Sequence, residues 1–387
     1  MDFELNDDQR RLQETVADFA RREIEPRAEQ LDRDGSFPAD LFRQLGELGV
    51  TAIPFAPEHG GMGLGTLDMA LAIEQIAIAD QSLAVTTMVS VAAGLILQRF
   101  GSVEQKARWL PDIVKGRALA ALAGTEPQAG SDTAAFTTRA HRVAAGWAIN
   151  GQKAYITNAG TKMSTIALTL AATSEPGAER KRFTLFAVPK GTQGYTQGEP
   201  YRKMGWRSSD TRPLYYDDCV VGDEAILGNE GEGRHLLHKG YQQARVFLAH
   251  CSLGLAEASL RRSVAYANER KAFGATLGNL QMVQELVAQM AVKVDAARLL
   301  AYRAAWMGDQ GTVTIRELAM AKYYCTEIGS QVADAAIQVH GGWGFMDDCA
   351  VSRYYRDNRV CTIGDGSSQI QQLLIARSLG LDVRFTG

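Results

Sequence analysis

The chain has 387 residues, of which 46% are hydrophobic and 22% charged, with a formal net charge of −3. That length allows two or three domains around a large core, and the near balance of charge implies no basic surface, which argues against nucleic acid as a partner. Five cysteines, an odd number without a CxxC pair, suggest reduced thiols and exclude a zinc or disulfide framework as the organising element.

The first residues, MDFELNDDQRR, are acidic and lack the pattern of a secretory signal or transit peptide. No apolar run reads as long enough to cross a bilayer. The expectation is a soluble cytoplasmic protein without a membrane partner. Residues 1–118 read as a helical domain. Asn6 and Gln9 have the spacing of a capping box that opens the first helix. QSLAVTTMVSVAAGLILQRFG, apolar on nearly every side, reads as a buried helix, and APEHGGMGLG (56–65) as irregular.

Residues 119–230 change character. RVAAGWAINGQKAYITNA has two β-prone runs around Asn150-Gly151, which predicts a hairpin turn there. STIALTLAAT, RFTLFAVPKG and TRPLYYDDCVV read as further strands with no helix between them, favouring an antiparallel, barrel-like β domain. From 231 to 387 the chain is helical again. Val283, Leu286, Val287, Met290 and Val294 share a face at helical spacing, and several such helices make a bundle. His235 and His238 lack a third ligand nearby, so a helix-surface pair is expected and no metal.

Several nucleotide and nucleophile motifs are missing: GxGxxG, a P-loop, GxSxG and HExxH. Four weaker segments remain. AGTEPQAGSD (123–132) offers hydroxyls and backbone N–H groups, or merely starts a strand. AYITNAG (154–160) puts Tyr155 and Thr157 on one face of a strand and Ile156 on the other, either to cover a flat ring or as ordinary sheet packing. ERKAFG (269–274) and QVHGGWG (338–344) combine an arginine with paired glycines, as a nucleotide site does, though each is also common as solvated loop. TIGDGSSQIQQLLIAR (362–377) sets Asp365 between two glycines, ahead of an amphipathic helix whose Ile370, Leu373, Leu374 and Ile375 are expected to bury.

Taken in order, EHGGMG, GTEPQAGSD, AYITNAG, MGWRSSDTRPL, ERKAFG, QVHGGWGF and DGSSQIQ resemble the acyl-CoA dehydrogenase family of flavoproteins along essentially the whole chain. The resemblance implies a helical N-terminal domain, a middle β domain and a C-terminal four-helix bundle. It also implies one FAD per subunit of a homotetramer, an acyl-CoA substrate, and an electron-transferring flavoprotein as acceptor, with oxygen the other possibility. By motif, Leu122, Gly124 and Thr125 should face the flavin, and Tyr155 and Thr157 should cover its ring. Arg270, Phe273 and Gln281, with Gln338, Gly341 and Gly342, should reach the FAD of a neighbouring subunit, and Ser367 and Gln369 should complete the site. Ser131 should touch the pantetheine arm. Asp365 stands where most relatives carry the glutamate that removes the α proton while the β hydrogen leaves as hydride to flavin N5. Gly366 should let that residue's N–H and carboxylate converge on one substrate, with oxyanion-type stabilisation of the thioester oxygen.

The departures from the family pattern are informative. Aspartate is shorter than glutamate by roughly 1.5 Å, and Gly364 replaces a common tyrosine, so short, branched or alicyclic acyl groups are favoured. A free aspartate titrates at about 3.9; a following helix N-terminus lowers this further, and burial raises it by up to about 3–5 units, so desolvation is expected to win with substrate bound. Some relatives keep their base on the first bundle helix, where this chain has Ala244 beside Arg245. Gln242 stands where many relatives place an aspartate on the CoA arm, which raises a carrier-protein thioester as an alternative. The TTMVSVAAG helix has no arginine for a distal carboxylate. A nitroalkane oxidase-like enzyme is a second alternative, although the arginine that branch carries seven residues past its base is Gln372 here. A DNA-protective or redox-silent flavoprotein is the non-enzymatic one.

Overall fold

The computed structural model describes residues 4–175, 178 and 181–382. The N-terminal part is helical: α1 (Asp7–Phe19) runs through a π-helical turn (Ala20–Ile24) into α2 (Glu25–Asp34), followed by α3 (Ala39–Glu47), α4 (Thr66–Ala79), α5 (Gln81–Phe100) and α6 (Val103–Val114). The Asn6–Gln9 capping box is formed. APEHGGMGLG is irregular apart from one 3₁₀ turn, Pro57–His59. Contrary to the expectation from sequence, α5 is long and apolar enough to cross a bilayer by length and composition, but it is mostly buried within the fold. Its hydroxyls bond internally: Thr87 Oγ1 donates to Leu83 O and Ser90 Oγ accepts from Ala120 N.

The middle part is one sheet of β1 (Leu119–Ala123), β2 (Arg139–Val143), β3 (Gly146–Thr157), β4 (Ser164–Ala172), β5 (Phe183–Pro189), β6 (Tyr195–Gln197), β7 (Thr211–Val221) and β8 (Ile226–Leu227). Its ladder runs β6-β7-β3-β2-β4-β5-β8, with β1 also on β4. Most neighbours are antiparallel, but β1 and the edge of β2 meet β4 in parallel. The predicted turn at Asn150-Gly151 is not there. The hairpin closes one step earlier, at Val143↔Gly146, and β3 runs through Asn150-Gly151 as a bulge. Tertiary packing overrides the local turn preference. Gly151 has φ 138° with Thr138 packed where a Cβ would sit, and Asn150 exchanges two 2.9 Å hydrogen bonds with Asp218 on β7.

The C-terminal part opens with α7 (Gly233–Glu269), followed by the short hairpin β9 (Lys271–Ala272) and β10 (Ala275–Thr276), then α8 (Gln281–Asp309), α9 (Ile315–His340), α10 (Ala350–Asn358) and α11 (Ser368–Ser378). α7 packs along α9 and also against α4 and α5, so it is shared between the bundle and the N-terminal helices. Of the predicted α8 face, Met290 and Val294 are buried, while Val283, Leu286 and Val287, nearer the start of the helix, are half-buried. All five cysteines are free and buried.

Two polar seams fix the β part against the helices. Asn158, at the end of β3 with φ 65°, donates to Thr86 O on α5 at 2.9 Å. Trp206 donates its backbone N–H to Asp357 at 2.6 Å and its indole N–H to Gln81 at 2.9 Å. These seams tie the sheet part to α5 of the N-terminal part and to α10 of the C-terminal part, beside the cleft between sheet and bundle.

Candidate active site

One wall of the cleft begins where β1 ends. The segment Gly124–Glu126 folds back under a lysine from β3: Lys153 Nζ donates to Gly124 O at 3.0 Å and to Glu126 Oε1 at 2.8 Å. The Glu126 carboxylate also accepts from the backbone N–H of Thr137 (2.6 Å) and Thr138 (3.0 Å). Burial alone would raise Glu126, but Lys153 and these donors outweigh it and hold the carboxyl at about 2. Burial pulls Lys153 down to about 8 against the attraction of Glu126. Neither residue was singled out from sequence. The signal was there in part: Lys153 precedes Ala154 in a strand otherwise apolar on its inner side, where a buried cation needs a partner.

Ala154 N donates to Thr125 O at 2.9 Å, so this locked segment lies directly against β3. Tyr155 sits at a second bulge with φ 61° and is 64% exposed, while Ile156 is buried in the sheet core. Thr157 and Thr125 are half-buried, and neither hydroxyl has a hydrogen-bond partner among the described residues. Leu122 is also half-buried. One side of the Tyr155 ring packs on Tyr201, with ring centroids 5.3 Å apart; the exposed remainder, beside two unpaired hydroxyls, suits a flat heterocycle. Ser131 is exposed on the loop that follows.

The opposite wall is α7 with the turn before α11. Asp365 (φ 52°) and Gly366 (φ 89°) are both left-handed. For an aspartate this costs about 1–3 kcal/mol and persists only where surroundings impose it. Three side chains from three helices do so. Lys322 of α9 donates to Gly366 O at 2.9 Å. Gln371 of α11 donates to the same oxygen at 2.8 Å and to Asp365 O at 3.3 Å. Arg245 of α7 reaches Asp365 O at 3.4 Å. All three hold the backbone. The Asp365 carboxylate itself has no hydrogen bond or ion pair among the described residues. Burial raises its pKa, opposed by the charges of Lys322 and Arg245.

α11 does not bury the face expected for it. Ser368 and Gln371 are its buried residues, while Ile370, Leu373, Leu374 and Ile375 are only half-buried. Its inward face is polar because it must satisfy the two turn carbonyls. Ser367 caps the helix, accepting from Ile370 N, and with Gln369 lines a cavity of about 430 Å³ between α9, α10 and α11.

The two walls meet. A Cβ on Gly124 would lie 2.5 Å from the Tyr241 hydroxyl, so α7 packs directly on the locked segment. Tyr241 in turn has its phenol pKa pushed up by burial and by the charge of Asp365. Gln242 is half-buried beside it and makes no hydrogen bond among the described residues. Gly124, Thr125, Tyr241, Arg245, Asp365 and Gly366 thus share one cleft.

The other candidates lie elsewhere. Arg270 caps α7, 25 residues past Arg245, which is about 37 Å along the helix axis. It joins Phe273 and Gln281 near Gln338, Gly341 and Gly342, because Tyr266 and His340 stack at 4.4 Å and tie the ends of α7 and α9 together. This group is open: Phe273 is 94% exposed with φ 55°, and nothing lies within 4 Å of where a Cβ would sit on Gly341 or Gly342.

The cleft residues fit a flavin. Tyr155, packed on Tyr201, still offers exposed ring surface, and Thr125 and Thr157 supply hydroxyls without a partner among the described residues. The chain matches the family descriptions "Acyl-CoA dehydrogenase, N-terminal domain" over residues 6–117, "middle domain" over 121–219 and "C-terminal domain" over 231–380. It is 38% identical to the short-chain specific acyl-CoA dehydrogenase of Mus musculus mitochondria across 97% of this chain and 91% of that one. The structure of butyryl-CoA dehydrogenase from Megasphaera elsdenii superposes with TM-score 0.94 at 31% identity, covering 98% of this chain and 100% of that one. The prolyl acyl carrier protein oxidase AnaB superposes with TM-score 0.92 at 30% identity, covering 98% and 100%. The chain therefore belongs to the acyl-CoA dehydrogenase family, whose members are FAD-dependent oxidoreductases.

Proposed function

We propose that this enzyme removes the α proton of a short, branched or alicyclic acyl-CoA with Asp365 as base, giving the 2-enoyl-CoA. The observation that carries this reading is the Asp365 turn. Its carboxylate is desolvated and left unbonded, while three side chains fix the carbonyls behind it. A base held in this way keeps its lone pairs for substrate and loses little freedom on reaction. The N–H of Asp365 and that of Gly366 donate to no described group. They are available to the thioester oxygen, where charge develops as the α proton departs. FAD, when bound, supplies the acceptor for the β hydride. Leu122, Gly124, Thr125, Tyr155 and Thr157 would hold its ring, with Ser367 and Gln369 completing the site.

The choice of acyl group follows from size. Aspartate reaches less far than glutamate, and a Cβ on Gly364 would meet only Val360 O, at 3.6 Å, so space beside the turn stays open. A bulkier α or β carbon fills that space. The distant group of Arg270, Phe273, Gln281, Gln338, Gly341 and Gly342 would serve the FAD of a second copy, in a homotetramer. An exposed phenylalanine in a left-handed turn supports this, since solvent alone gives it no reason to stay there. Ser131 would meet the pantetheine arm, and an electron-transferring flavoprotein would reoxidise the enzyme.

Anaerobic titration of the yellow holoenzyme with a panel of acyl-CoA thioesters tests this reading. Bleaching is expected to be fastest with short branched or alicyclic chains; fastest bleaching by long straight chains would overturn the size reading. A carrier-protein thioester is the second reading, because Gln242 offers the CoA arm no carboxylate; bleaching by acyl carrier protein alone would favour it. The nitroalkane oxidase reading loses support, since Gln372 is engaged with the Tyr323 hydroxyl at 2.9 Å.

A further inference from the structure

Lys322 lies in the first third of α9, and its side chain has no exposed surface. Its ammonium makes one hydrogen bond, to Gly366 O at 2.9 Å, and no ion pair among the described residues. A buried ammonium without a carboxylate partner is expensive to keep in a fold. Tethering the turn does not explain it, because Gln371 Nε2 already holds the same oxygen at 2.8 Å without any charge. What Lys322 alone adds behind the turn is a positive field.

The charges around the turn can be taken element by element. α9 presents Lys322, with Glu327 farther along the same helix; Glu327 is occupied by the Ser368 hydroxyl. α7 presents Arg245, Tyr241 and Cys251, and the 3₁₀ turn Arg359–Thr362 presents Cys361. α11 presents Gln371 and no charge. Lys322 and Arg245 are thus the two cations facing Asp365, and Lys322 acts on it more strongly. Burial lowers Lys322 to about 8, with Asp365 the largest charge opposing that fall.

Resting on Asp365 as the base, we propose that Lys322 is a positioning residue: its buried charge, seated behind the Asp365–Gly366 turn, keeps the carboxylate ionised and ready to take the α proton. The sign is fixed by electrostatics. A nearby cation favours the carboxylate, so removing it moves the protonation of Asp365 to higher pH and slows proton removal on the acid side.

The test uses purified holoenzyme and an acyl-CoA with sulfur in place of the β carbon, which can lose its α proton but no β hydride. Exchange of that proton with deuterated solvent is followed against pH. Lys322→Met and Lys322→Gln are expected to move the acidic limb up by about one pH unit, roughly tenfold slower exchange below the limb. Lys322→Arg is expected to leave the limb in place. Lys322→Gln retains a donor for Gly366 O and serves if Lys322→Met does not fold. A limb unmoved in the neutral variants, with FAD retained, overturns the proposal. Asp365→Asn distinguishes the two levels: it should abolish exchange, and persistent exchange would overturn the base assignment itself.

Discussion

Lys153 and Lys322 are both fully buried, and burial draws both down to about 8, yet the fold uses them in opposite ways. Lys153 is closed off. It pairs with Glu126 at 2.8 Å, and that carboxylate is further saturated by backbone donors. Lys322 has no such partner; the nearest consequential acid, Asp365, is left unbonded. The first arrangement satisfies its charges within the protein and stiffens the Gly124–Glu126 segment. The second leaves an acid unsatisfied inside a cleft. A site that must receive a proton needs this imbalance, since a paired, saturated carboxylate has a low affinity for protons.

The comparison is broken most directly at the open acid. Asp365→Asn is expected to lower turnover by about 10²–10⁴-fold, the usual worth of a general base, with bound FAD and melting temperature little changed. If turnover survives, the unbonded carboxylate is not the base.

At the closed pair the expected loss is in stability. Glu126→Gln should cost roughly 3 kcal/mol at neutral pH, the worth of holding a carboxyl at about 2 against its ordinary value. The folded pKa is depressed, so this stabilisation is fully present above the unfolded value of about 4.3 and fades as pH falls toward 2. Denaturant melts of both proteins across that window measure it. A deficit that stays constant with pH would mean that packing, not ionisation, sets the cost.

The smallest effect expected is remote from the cleft. Asn150→Ala removes two hydrogen bonds to Asp218 and should destabilise by about 1–2 kcal/mol, without altering the acidic limb of proton exchange. A shift in that limb would show that the β3 bulge communicates with the turn.

Much of the fold was legible because it follows from local chemistry. The Asn6 cap, the largely apolar α5 and the burial of Met290 and Val294 on α8 each depend on spacing within a dozen residues. Asp365 stood out for the same reason, as an acid between two glycines ahead of a helix. Two local signals failed where distant residues overruled them. Asn150-Gly151 looked like a turn, but pairing with Asp218 and contact with Thr138 keep β3 running through it. α11 looked amphipathic in the usual sense, but its buried face carries Gln371 to serve two carbonyls.

Sequence by itself determined the order of helices, sheet and bundle, the family motifs and the identity of the unpaired acid, because hydrophobic periodicity and short-range backbone preference act along the chain. Tertiary structure alone decided which cations stand near that acid. Arg245, Lys322 and Gln371 lie far apart in sequence and converge only when three helices pack around one turn. Ionisation depends on distance and desolvation in space, and neither is encoded at any single position.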